Sequence, residues 1–189
     1  MADFRSLWDG ALTFPAFLAA STKHKGLWEG IYSIARLPGW ATAAWPPDHR
    51  RKLLVIAEDW CGDASSTVPV LARLADHVPG LELRIIRRDE HPEVMDRYLT
   101  NGSRSIPIVV ALDANFQELG HWGPRPRILQ AWVMANRTLV PKAELYPQVR
   151  QWYARDRGES TLREVIEAAG LTAPAKTETA DRTEMTTER

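Results

Sequence analysis

The sequence predicts an α/β fold, a three-layer sandwich in which a mixed four-stranded sheet is flanked by helices, with extra helices at both ends. Three observations point to it. Leu53 to Ala57 is a continuous apolar run, which suits a strand covered on both faces. A helical pattern from Ser65 leads straight into a second apolar segment, Leu81 to Ile86, so strand, helix and strand follow in order and the two strands run parallel. Finally, Ile108 to Leu112 and Glu118 to about Trp122 are joined by the short turn Asp113-Ala114-Asn115, which makes that pair antiparallel.

Taken in order, residues 1–48 form a tryptophan-rich helical extension. Leu27, Ile31 and Ile34 or Ala35 recur at helical spacing, and Pro38-Gly39 and Pro46-Pro47 punctuate the segment. Four of the eight tryptophans (Trp8, Trp28, Trp40, Trp45) lie here. Aromatics of that size bury much area, so the extension is expected to pack on the main domain rather than present a ligand or partner surface. The core spans 49–138 and opens with the basic run His49-Arg50-Arg51-Lys52, read as a solvated loop.

After the first strand, Val68, Leu71, Leu74 and Ala75 fall on one helix face, with Pro69 expected to kink it and Val78-Pro79-Gly80 to close it. Asp89 to Pro92 opens a short helix carrying Val94, Met95, Tyr98 and Leu99. A further helix from about Arg127 carries Ile128, Leu129, Trp132 and Val133. Residues 139–172 hold two more helices. The first is striped by Leu145, Val149, Trp152 and Tyr153; the second starts at a capping box, Thr161 to Glu164, and stops at Gly170. Residues 173–189, rich in threonine and charge and without aromatics, are expected to form a disordered tail.

Composition narrows the function. Lys+Arg and Asp+Glu both total 24, so no basic footprint suggests nucleic acid or an anionic membrane as partner. No apolar stretch reaches the roughly 18 residues of a membrane span. The Ala11 to Ala20 patch is preceded by acids and interrupted by Pro15, unlike a signal peptide, so a cytoplasmic location is expected. A single cysteine excludes an intramolecular disulfide and any multi-thiolate metal site within one chain, and suits a reducing compartment. The five histidines show no metal-type spacing, so neither a metal nor a bound cofactor is expected.

Four marks then occur in order over Leu53 to Gly123. The buried strand runs into Trp60-Cys61-Gly62. The helix that follows carries a proline one turn in. Asp89 to Pro92 precedes the second helix, and Ser105-Ile106-Pro107 opens the third strand. In these marks the chain resembles the thioredoxin family. The resemblance implies a thioredoxin-like fold, Cys61 as nucleophile within the motif Trp60, Gly62, Asp63 and Ala64, a cis Ile106–Pro107 bond, and Ser105, Ile106 and Pro107 beside the substrate. A cysteine at a strand-to-helix junction sits by unpaired helix N–H groups, whose partial positive charge favours the thiolate.

Three departures modify that expectation. Ala64 stands where the family has its second, resolving cysteine, so only a monothiol half-reaction remains: Cys61 forms a mixed disulfide that an external thiol such as glutathione resolves. Asp63 replaces the usual proline and, with Glu58 and Asp59, is expected to make the thiol less acidic than is usual in the family. Val55 occupies the place of the family's buried acid. The expected function is therefore thiol-disulfide exchange on protein or glutathione mixed disulfides. The alternative is a non-catalytic interaction module on the same fold.

Overall fold

A computed structural model describes residues 3–174; the tail expected from 173 onward lies, beyond its first two residues, outside the described residues. Helix α1 (Phe4–Gly10) leads into a two-residue strand β1 (Leu12–Thr13), then α2 (Phe14–Ala20), α3 (Lys25–Ile34) and α4 (Gly39–Ala43). The central unit is β2 (Arg51–Ala57), α5 (Gly62–His77), β3 (Leu81–Arg87), α6 (Pro92–Met95), β4 (Ile108–Leu112), β5 (Glu118–Trp122) and α7 (Arg127–Asn136). Helices α8 (Lys142–Asp156) and α9 (Glu159–Ala168) complete the described chain.

The sheet order is β1-β3-β2-β4-β5, with β2 parallel to β3 and the other pairs antiparallel. This is the mixed α/β sheet expected, with five strands instead of four. The additional strand, β1, pairs Leu12 with Ile85 on the outer side of β3. Two residues are too few to show an alternation in sequence. β2 is central, and Leu53 to Ala57 are fully buried, which is why that run has no polar alternation. α5 continues as one helix through Pro69 and buries Val68, Leu71 and Leu74 against the sheet.

Two helix boundaries differ from the sequence reading. α6 is a single turn, with Tyr98 beyond its end. α9 begins two residues before Thr161, at Glu159 after the left-handed Gly158, so Thr161 lies inside the helix, buried, and caps nothing. The start is tied instead by the Asp156 carboxylate, which accepts from the Ser160 N–H and hydroxyl. An acid upstream of the helix thereby does what the capping box is normally read to do.

The N-terminal helices are part of the main core. Phe14, Phe17, Trp28, Ala41 and Trp45 are buried in one cluster with β2 and β4. Trp28 is fully buried and its indole N–H donates to the Asp59 carbonyl at 3.0 Å. The Asp59 carboxylate in turn accepts from the Thr22 and Lys23 N–H groups at 2.8 and 3.0 Å. The loop joining β2 to α5 is therefore clamped from the N-terminal side. α7 and α8 close around a smaller second core of Leu129, Val133, Leu145, Val149 and Tyr153. No described helix is long and apolar enough to cross a membrane.

Candidate functional site: a buried thiol at the head of a groove

Cys61 is the N-cap of α5, in extended backbone conformation where the chain leaves β2 and turns into the helix. Its sulfur accepts from the Ala64 N–H at 3.4 Å, and its S–H donates to the Ile106 carbonyl at 3.4 Å. Ordinary sulfur hydrogen bonds are longer than those of oxygen, and both contacts suit a protonated thiol. Cys61 is 7% exposed. Burial pushes its pKa up to about 11; the Asp63 charge pushes the same way, while the Ala64 N–H opposes both. At neutral pH the thiolate is then on the order of one molecule in ten thousand.

The reduced acidity expected from sequence is thus present, but with a different principal cause. Burial dominates, and of the three carboxylates only Asp63 acts on the sulfur. Glu58 is turned to β3, where it accepts from Arg87 at 3.3 Å and from the Asp89 N–H at 3.0 Å. Asp59 is held on the N-terminal segment, where the Lys23 and Thr22 N–H groups outweigh burial and lower its pKa.

The remaining motif positions converge around the sulfur. Trp60 is 41% exposed, with the Arg88 guanidinium 4.9 Å above its ring. Gly62 opens α5, and Ala64, in the place of a resolving cysteine, is fully buried. Ser105 and Ile106 line the same groove, and the Ile106–Pro107 bond is cis. A second cis bond joins Gly123 to Pro124, where no sequence motif marks it. Gly123 has φ +131°, and a Cβ there would lie 2.1 Å from the Pro107 carbonyl oxygen, so only glycine lets the β5 exit pack against the cis-proline loop.

Asp63 organises a buried cluster that sequence reasoning missed. Its carboxylate accepts from Arg125 Nε at 2.9 Å and Nη2 at 2.5 Å, and from the Tyr153 hydroxyl at 2.9 Å. Arg125 follows the second cis-proline, and Tyr153 comes from α8. No sequence spacing relates positions 63, 125 and 153; a lone arginine between Pro124 and Pro126 was the one local signal. The apolar stripe of α8 accounts for the Tyr153 ring, which is buried in the second core, and is silent about its hydroxyl.

These residues form one end of a groove of about 1070 Å3 between α3 and α8, floored by the first half of α5. Leu27, Ile31 and Ile34 supply one wall and Tyr146 and Val149 the other. Among the described residues no group of three or more His, Cys, Asp or Glu side chains is placed to hold a metal ion.

A family model described as Thioredoxin matches residues 11–143, most of the described chain. The chain belongs to the thioredoxin family. The match takes in α2 to α4 as well as the central unit and leaves α1 outside it. Among solved structures, the chain is similar to a protein of unknown function from Pseudomonas aeruginosa, with a TM-score of 0.73 and 23% identity over 90% of this chain and 98% of that one. It is also similar to an HIV epitope-scaffold, with a TM-score of 0.71 and 22% identity over 89% of this chain and 98% of the other. At these identities the likeness shows the fold alone. A search of curated proteins finds no match.

Proposed function

We propose that this thioredoxin-family protein is a monothiol redox protein in which Cys61 forms mixed disulfides with protein or low-molecular-weight thiol substrates. The observation that carries the reading is the placement of Sγ between the Ala64 N–H and the Ile106 carbonyl, at the head of a groove. In the exchange step the Cys61 thiolate attacks one sulfur of a substrate disulfide. The new S–S bond forms to Cys61, and the other sulfur leaves as a thiolate that takes up a proton. Since Ala64 cannot attack in turn, an external thiol such as glutathione must break the mixed disulfide. The single cysteine favours a reducing, cytoplasmic setting for such a cycle.

The high thiol pKa favours a second reading, a non-catalytic binding module that uses the same groove. Mixed-disulfide formation with a small disulfide, followed by mass spectrometry on wild type and Cys61→Ser, separates the two. Under the redox reading the wild-type rate rises about tenfold per pH unit from pH 7 and levels near 11, because only the thiolate attacks. A glutathionylated peptide is released faster by wild type plus glutathione than by Cys61→Ser plus glutathione. Equal release by the two proteins would remove the redox reading and leave the binding module.

A further inference from the structure

The groove runs away from the thiol, and its far end has a chemistry that exchange at Cys61 does not use. α3 is fixed near the thiol by Trp28 and ends six residues later at Ile34, about 9 Å along the helix axis, with Arg36 two residues beyond that end. α5 gives a similar measure. Val70, which packs where a Cβ on Gly158 would stand, lies seven residues beyond Asp63, about 10 Å down the helix. Arg36 and Arg157 both line this end, and both also line a second depression beside it. With Arg150 on the α8 wall, these are exposed guanidinium groups that make no ion pair among the described residues.

The acids near that end are already engaged: Asp156 caps α9 through Ser160, and Glu159 holds Arg163. Within the groove itself the sole carboxylate is Asp63, bound to Arg125 and Tyr153. Between the thiol and the arginines the α3 wall is aliphatic. Leu27 and Ile34 are 42% and 74% exposed on it, so this wall offers aliphatic surface to a ligand.

Resting on the redox reading above for its sulfur end, the geometry points to a phosphate-headed thiol with a long uncharged arm, or its disulfide, as the groove's ligand. We propose that the phosphate lies on Arg36 and Arg157, the arm lies along Leu27, Ile31 and Ile34, and the sulfur reaches Cys61. Two guanidinium groups match the double charge of a phosphate better than a single carboxylate. A thiol carrying an ammonium group, such as glutathione, would find no free acid in this lining. With the symmetrical disulfide of such a thiol, the Cys61 thiolate forms a bond to one sulfur, the original S–S bond breaks, and the second molecule departs as a thiolate that is then protonated.

The test uses the full chain and, for binding alone, the Cys61→Ser variant with coenzyme A as probe. Calorimetry is expected to show coenzyme A binding at least tenfold more tightly than glutathione or than pantetheine, which has the same arm and thiol but lacks the nucleotide and its phosphates; the arginine variants assign the difference to the phosphates. Arg36→Glu, Arg157→Asn and Ile34→Asp should each weaken coenzyme A at least tenfold, asparagine being chosen because position 157 has φ +52°. Arg137→Glu, an exposed charge change outside the groove, should leave the affinity unchanged. Equal affinity for coenzyme A and pantetheine, tighter binding of glutathione, or indifference to Arg36→Glu overturns the assignment. Wild type is then offered coenzyme A disulfide and glutathione disulfide. If coenzyme A binds the serine variant but no mixed disulfide forms, the redox reading fails and the ligand assignment stands. If both disulfides react at one rate, the redox reading stands and the ligand assignment fails.

Discussion

Asp63 stands two residues from the thiol, in the first turn of α5, and does two things of opposite value. Its charge disfavours the thiolate, while its carboxylate satisfies Arg125 and Tyr153 in a place where neither is free to find water. Asp63→Asn keeps the shape and removes the charge. Arg125, which already lowers the Cys61 pKa, is then unopposed, so the alkylation midpoint should fall from about 11 by one unit or more. Iodoacetamide labelling at pH 8 would accordingly rise roughly tenfold. The same substitution leaves a mostly buried guanidinium without a counter-charge, at a cost of about 3 kcal/mol in unfolding free energy. A labelling profile and a denaturant melt on one protein preparation check both signs, and an unchanged midpoint would show that burial alone sets the thiol.

Among the elements, the loop pair at the cis-prolines is the most constrained part of the site. Gly123→Ala places a methyl group against the Pro107 backbone, where no side chain can swing aside, and is expected to cost about 3 kcal/mol or more. Gly30→Ala, on the exposed side of α3 with nothing within 4 Å, should instead stabilise by about 0.5–1 kcal/mol. In thermal melts of a chain this size the two should move Tm in opposite directions, at about 2–4 °C per kcal/mol. This contrast also marks what was legible in sequence. The Leu53–Ala57 run and the Asp113–Asn115 turn placed β2, β4 and β5, because burial and turn chemistry are local. The positions of Trp60, Cys61, Ile106 and Pro107 came from motif spacing. Arg125 and Tyr153 did not, since what brings them to Asp63 is tertiary packing across 62 and 90 residues. β1 was hidden by its length, and Thr161 misled because a capping box is also an ordinary stretch of helix interior.

At the scale of the whole molecule the question is whether the first 48 residues are an appendage or part of the foundation of the site. The fold answers through two tryptophans of similar burial and different bonding. Trp28 is fully buried and donates to the Asp59 carbonyl, two residues before the thiol. Trp45 is 5% exposed, packs against His49 at 5.3 Å, and its indole N–H has no partner among the described residues. Both lose comparable volume on change to phenylalanine, so the difference between the variants isolates the bond. Trp28→Phe should therefore cost about 1–2 kcal/mol more than Trp45→Phe, the unsatisfied Asp59 carbonyl being the reason. Release of the Asp59 loop should also expose Cys61, raising its labelling rate at fixed pH in Trp28→Phe and leaving it unchanged in Trp45→Phe. If the two variants melt together and label alike, the N-terminal helices merely cover the core. If they separate as expected, a helical segment that precedes the family motif is what holds the motif's loop in place.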